Sequence, residues 1–293
     1  MKHEEHAFLF DCAGAASVGI VSLPVDASAA DTGLLIVVGG PQYRVGSHRL
    51  FVKLARHAAA EGLAAMRFDY RGMGDSWAAQ QTFESVDADL KAAIDAFMQQ
   101  VPSLKRVVIW GLCDGATAAC FYAPKDKRVG GLILVNPWVH TPEGAADTRL
   151  KHYFLRRLLS GELWHRILVQ RRLPKISAFK VLLHALSQSV MARIKRLFGR
   201  RAPQSEAAMP LPERTGHQVV RAGLRVALAL SEDDKIAREF EDQAMPTAPW
   251  RQIASTQLIE LAHLEHADHT VTAAPACDRL CALTVTWVRS MAA

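Results

Sequence analysis

The sequence predicts an α/β chain: a mostly parallel central sheet with helices on both faces, interrupted by an inserted helical lid. Three observations carry that expectation. Short apolar runs alternate with helix-periodic segments up to residue 135 and again from residue 225 to the end. Such alternation implies parallel strands joined by right-handed helical crossovers. From about 140 to 215 the alternation stops and no strand-like run occurs. And a glycine-flanked cysteine, Gly111-Leu112-Cys113-Asp114-Gly115, stands where an apolar run gives way to a helix-forming segment.

Taken in order, Phe8 to Phe10 and Ala15 to Leu23 read as two short strands with Gly14 between them. Leu34 to Val38 is a continuous apolar run ending in Gly39-Gly40, the pattern of a strand buried on both faces. His48 to Glu61 has helical periodicity and stops at Gly62. A strand over Ala64 to Phe68, a helix over Val86 to Val101 stopped by Pro102, and a strand over Val107 to Trp110 follow. Asp114 to Tyr122 reads as a short helix and Leu132 to Val135 as a strand ended by Asn136-Pro137. Two or three amphipathic helices and then a polar, Pro-containing linker fill the interruption. The alternation resumes with a strand over Arg225 to Leu230, a helix over Lys235 to Gln243, a strand over Thr256 to Leu261, and a last helix from Ala276 to Arg289. The expected organisation is a core domain built from 1–139 and 216–293, with a lid at 140–215.

Composition narrows the class. The 293 residues are 50% hydrophobic and 22% charged, a balance that fits neither a disordered chain nor a collagen nor a coiled coil. A chain of this size buries about 75% of its unfolded surface. No apolar stretch reaches the roughly 20 residues of a membrane span, and the opening Met-Lys-His-Glu-Glu-His does not lead into a secretory signal. The five cysteines, at 12, 113, 120, 277 and 281, are scattered and form no CxxC pair. Neither a disulfide framework nor a structural zinc site is expected, and a cytoplasmic location is. The net charge is +6, unevenly spread: residues 149–201 hold fourteen Lys or Arg against the single acid Glu162, a net +13 that leaves −7 elsewhere. Such a segment attracts anionic ligands or surfaces, or serves only as a solvated helical face.

Chemistry concentrates at three places. The cysteine motif has the spacing of G-x-S-x-G with Cys113 in the nucleophile position. Its glycines suit a strained strand-to-helix turn, and the helix behind it presents positive dipole to the sulfur, which favours a thiolate. A cysteine nucleophile needs a base and a group to orient that base. Ser231-Glu232-Asp233-Asp234 follows the RVALAL strand and offers the acid; Glu265-His266-Ala267-Asp268-His269-Thr270 precedes the last helix and offers the base. Asp234 and His269 are the expected pair, with Asp233 or Glu232 as rival acids, Asp234 as a mere helix cap in that case, and His263 and His266 as rival bases. The turn after Leu34 to Val38, Gly39-Gly40-Pro41-Gln42-Tyr43, is placed to donate to an oxyanion. Pro41 has no N–H, so Gln42 is expected to donate, by main chain or amide, alongside the N–H of Asp114. Asp69 to Ser76, DYRGMGDS, reads as a scaffold loop tied by side-chain hydrogen bonds. The sequence has no Walker P-loop, no GxGxxG after a first strand and no HExxH, so neither a cofactor nor a metal is expected.

Those stretches resemble the α/β-hydrolase superfamily over nearly the whole chain outside the lid. VVGGPQYRVGSHRLFVKLAR, FDYRGMGDS, GLCDGA, LALSEDDKIAREF and ADHT are more closely similar to the exosortase A system-associated hydrolases, type 1. That resemblance implies a bacterial hydrolase found beside exopolysaccharide and exosortase functions, with Cys113 as nucleophile, Asp234 as acid and His269 as base. Cys in place of the usual Ser suits activated esters, thioesters or lactones, because acyl-cysteine forms most readily when the leaving group is good. The expectation is therefore a hydrolase or acyltransferase working through an acyl-cysteine. The alternative is a binding or regulatory protein that keeps the fold without turnover. A small acyl substrate is the expected partner, with no nucleic acid. The basic lid suits an acidic acyl carrier protein or an anionic membrane surface.

Overall fold

The computed structural model describes residues 3–25, 30–40, 42–141, 208–256 and 258–292. The helices expected between 140 and 215 fall largely on 142–207, outside the described residues. The chain divides into two compact units, Met1–Val139 with Thr215–Ala293, and His140–Arg214. The first holds the sheet.

Eight strands run in sequence as β1 (His3–Cys12), β2 (Ala15–Pro24), β3 (Thr32–Val37), β4 (Ala65–Phe68), β5 (Arg106–Leu112), β6 (Val129–Val135), β7 (Arg225–Ser231) and β8 (Ile259–Leu264). The helices among the described residues are α1 (Leu50–Ala60), α2 (Asp87–Gln100), α3 (Asp114–Tyr122), α4 (Leu211–Ala222), α5 (Lys235–Gln243), α6 (Ala248–Ala254) and α7 (Ala274–Ala292). The spatial strand order is β1-β2-β4-β3-β5-β6-β7-β8. β1 and β2 are antiparallel, and β3 to β8 are all parallel. This is an α/β-hydrolase fold.

The apolar runs explain the centre of the sheet. β3 and β4 are buried at every residue, as are β5 and β7 beyond their first, because helices cover both faces. The chain leaves β3 for β4 on one side and returns to β5 on the other, so right-handed crossovers place α1 and α2 on opposite faces. α1 buries Leu50, Phe51, Leu54, Ala55 and Ala58 at helical spacing. Phe51 meets Trp110 of β5 edge-on, ring centroids 5.7 Å apart. The direction of winding reverses between β3 and β5, and in open α/β sheets ligands bind beyond the carboxyl ends at such a point.

Several boundaries differ from the sequence expectation for physical reasons. β1 extends well beyond Phe8 to Phe10, because it pairs with β2 along its full length even where charged residues break the apolar pattern. The two strands join through Ala13 and Gly14, both at positive φ (50° and 81°), the geometry of a tight two-residue hairpin. α1 begins at Leu50 rather than His48, since His48 and Arg49 are left-handed (φ 52° and 62°). β8 lies three residues beyond its expected place: pairing with β7, from Val226 opposite Ile259 to Ser231 opposite Leu264, sets its register. The expected linker is helical from Leu211; Pro212 lies in the first turn, where a missing N–H costs nothing. α6 was not expected either. Its Trp250 is fully buried, stacks edge-on against Phe240 at 4.9 Å and donates to Thr215 Oγ1 at 3.2 Å. A Cβ at Gly216 would come within 2.8 Å of that indole, so the helical glycine permits the close approach.

Candidate active site

Cys113 joins β5 to α3 with φ 59° and ψ −125°, a strained conformation for a residue with a side chain. The neighbouring glycines show why it is held. A Cβ on Gly111 would lie 2.5 Å from the carbonyl group of Gly115, and one on Gly115 would lie 2.8 Å from the Val37 and Val38 carbonyl oxygens. The backbone of Cys113 is also pinned to its neighbours. Its N–H donates to Val135 O at 3.0 Å, and its carbonyl accepts from Ala116 N at 3.1 Å and Trp138 N at 3.1 Å. All five cysteines are free; Cys113 is partly exposed and the other four are buried.

His269 arrives on the loop after β8 and Asp234 on the turn after β7. The imidazole Nδ1 and Asp234 Oδ2 are 2.7 Å apart, and the Cys113 thiol is near enough to act on the same ring. With Nδ1 committed to the carboxylate, Nε2 is the nitrogen available to the sulfur. The Asp234 side chain is 5% exposed and that of His269 32%. Asp234, then Cys113, stabilise the charged imidazole and raise its pKa from 6.5 to about 10 against the opposing effect of burial.

The rivals are accounted for. Asp234 caps α5, accepting from Ile236 N at 3.0 Å and Ala237 N at 3.2 Å, yet it holds His269 as well. One residue makes both contacts, because a carboxylate at a helix start has lone pairs to spare. Asp233 is exposed and lies 3.9 Å from Arg238. Glu232 accepts from His266 N at 3.2 Å. His263 pairs with Glu241 at 2.9 Å.

The turn after β3 approaches the same place. Gly40 N–H donates to Asp114 Oδ1, and a Cβ on Gly39 would sit 2.1 Å from Leu112 O. Gln42 N–H donates to Gly40 O at 2.8 Å, while Gln42 Oε1 accepts from Ser47 N at 3.3 Å. Burial lifts the Asp114 carboxyl above the usual range even though the N–H groups of Gly40, Asp114 and Gly115 draw it down. The side chain of Asp114 is thus part of the site, where the sequence suggested only its main chain.

The DYRGMGDS loop braces this turn. Buried Asp69 accepts from Arg44 N at 2.7 Å and Asp75 N at 3.1 Å and pairs with the Arg44 guanidinium. Arg71 in turn grips buried Asp89, with Nη2 2.9 Å from Oδ2. Among the described residues no group of three or more His, Cys, Asp or Glu is placed to hold a metal ion, and no helix is long and apolar enough to cross a membrane.

A family model described as "Alpha/beta hydrolase family" matches residues 34–279. No curated protein matches the chain. Solved structures similar to it include a Pyrococcus furiosus esterase, 14% identical, covering 98% of this chain and 91% of that one with a TM-score of 0.61. Est1E from Butyrivibrio proteoclasticus, whose structure holds ferulic acid, is 14% identical over 97% and 99%, TM-score 0.60. A proline iminopeptidase from Mycobacterium smegmatis is 14% identical over 98% and 99%, TM-score 0.60.

Proposed function

The chain belongs to the alpha/beta hydrolase family, and from that premise we propose that it is a cysteine-dependent hydrolase or acyltransferase acting on an ester, thioester or lactone. One observation carries the reading: the His269 imidazole is 2.7 Å from the Asp234 carboxylate and lies beside the Cys113 thiol. The structures named above add support, since one is an esterase and another holds an aromatic acid.

In this reading Cys113 gives its proton to His269, and the thiolate attacks the acyl carbon. Carbonyl electrons move onto oxygen, where the Asp114 N–H and the Gln42 side-chain amide stabilise the charge. Because Gln42 N–H is spent on Gly40 O, the amide is the donor that residue offers. The Asp114 N–H exchanges its own carboxylate for the oxyanion. As the tetrahedral intermediate collapses, His269 protonates the departing alkoxide or thiolate, leaving acyl-cysteine. Water or an acceptor alcohol, deprotonated by His269, then attacks the acyl carbon and releases the Cys113 thiolate. Asp234 holds the ring and balances its charge throughout. The resemblance to exosortase A system-associated hydrolases supports a role beside exopolysaccharide functions. The net charge of +13 over 149–201 supports an acidic acyl carrier protein or an anionic membrane as partner.

The test is intact mass after exposure to p-nitrophenyl acetate. The expected result is a single acetyl group on Cys113, absent in His269→Ala. With an alkyl ester such as ethyl acetate, the rate should decline as pH rises through about 10, where His269 loses the proton that the departing alkoxide needs. An unmodified Cys113 across that range would favour the non-catalytic binding protein instead.

A further inference from the structure

Asn136 follows β6 and lies at none of the positions the mechanism uses. It is fully buried and left-handed, with φ 44°. Asparagine tolerates that conformation better than most residues, but inside a protein it needs a reason. Its side chain supplies one. Oδ1 accepts from Ser231 N at 2.9 Å; Nδ2 donates to Ser231 Oγ at 3.0 Å and to the His269 carbonyl oxygen at 3.0 Å. Its own N–H donates to Ala229 O at 3.0 Å. The amide orientation is unambiguous: Ser231 N–H and the His269 carbonyl fix which end accepts and which donates.

We propose that Asn136 is a positioning residue that locks the main chain of His269 to the turn carrying Asp234. This rests on the catalytic reading above and deepens it. The carboxylate and the imidazole come from separate loops, after β7 and after β8, and their side-chain contact alone leaves both loops free to drift together from Cys113. Asn136 grips both at once from the strand beside β7: Ser231 lies three residues before Asp234, and the His269 carbonyl belongs to the base itself. Since β6 also receives the Cys113 N–H through Val135 O, the end of β6 references nucleophile, base and acid to one frame. Both amide hydrogens are used, so no other side chain of similar size repeats the pattern: aspartate cannot donate to the His269 carbonyl, and leucine cannot bond at all.

The test follows the His269 imidazole by NMR titration in wild type, Asn136→Asp and Asn136→Gly, with acetylation of Cys113 measured in parallel. Asn136→Asp keeps the acceptor for Ser231 N–H and loses the donor to His269; Asn136→Gly suits the positive φ and removes the side chain. We expect the titration of His269 to fall by about one pH unit or more in Asn136→Gly, and the acetylation rate to drop about tenfold in kcat in both variants with KM within about twofold, as for a loosened base. A purely structural role would lower the melting temperature and leave the His269 titration where it is in the folded protein, and that result would overturn the proposal. The NMR readout decides even if no acetylation occurs in wild type, an outcome that would instead remove the catalytic reading.

Discussion

At the outer edge of the sheet, Glu5 of β1 reaches across β2 to Arg67 of β4 at 2.9 Å and to Arg56 Nε of α1 at 2.9 Å, with Ser22 at 3.1 Å. At the carboxyl ends of β5, β7 and β8, His269 is held between Asp234 and Cys113. Burial pushes the Glu5 carboxyl up, but the two guanidiniums outweigh it and bring it down from 4.5 to about 2. The carboxylate of Asp234 brings the imidazole up to about 10. Pairing does both, and only the second does so beside a thiol. Backbone strain separates the regions too. Of the eight non-glycine residues with positive φ among the described residues, only Ala13 lies in the β1–β2 hairpin; His48, Arg49, Ala78, Cys113, Asn136, His266 and Val271 all follow carboxyl ends of parallel strands. Strain of this kind persists where the surroundings over-determine it, and it gathers at functional sites.

The sharpest way to break the comparison is Cys113→Ala. It should lower the acetylation turnover by about 10⁴-fold or more while scarcely moving the melting temperature, since a single small side chain on a turn is lost. A variant that still turns over would show that the strained turn is only architecture. Next is Asp234, which serves both purposes. Asp234→Asn keeps a cap for α5 but removes the charge that lifts His269, so it should cost about 10³-fold in kcat and lose stability below about pH 10; Asp234→Ala should cost the same rate and about 1 kcal/mol more from the lost cap. Equal stability of the two by chemical denaturation would separate the cap from the site. The smallest effect lies at the sheet edge. Glu5→Gln should destabilise by about 2 kcal/mol through weakened charged hydrogen bonds and leave acetylation unchanged. The pH dependence carries opposite signs. Glu5 has a lowered pKa, so its contribution is present above about 4.5 and is lost as pH falls through about 2. His269 has a raised pKa, so its contribution is complete below 6.5 and is lost as pH rises through about 10. Stability curves should therefore lose their acid limb in Glu5→Gln and their alkaline limb in His269→Ala.

The runs that become β3, β5, β6 and β7 are legible in the chain because strands buried on both faces need uninterrupted apolar residues, and the turn at Cys113 is legible because only glycine fits beside it at that approach. That Asp234 and His269 meet is foreshadowed by their places on loops at successive strand ends. What the sequence left open was decided in three dimensions. Glu232, Asp233 and Asp234 are equivalent as carboxylates, and only the turn after β7 sends Glu232 to His266, leaves Asp233 near Arg238 and aims Asp234 at His269. The reach of Glu5 to Arg67 spans sixty-two positions of chain, and no local pattern encodes it. Asn136 reads locally as the end of a strand before Pro137, yet its amide joins residues 95 and 133 positions away. Periodicity records which face of an element is buried; the direction of a polar side chain at a loop is set by partners that only folding brings within 3 Å or so.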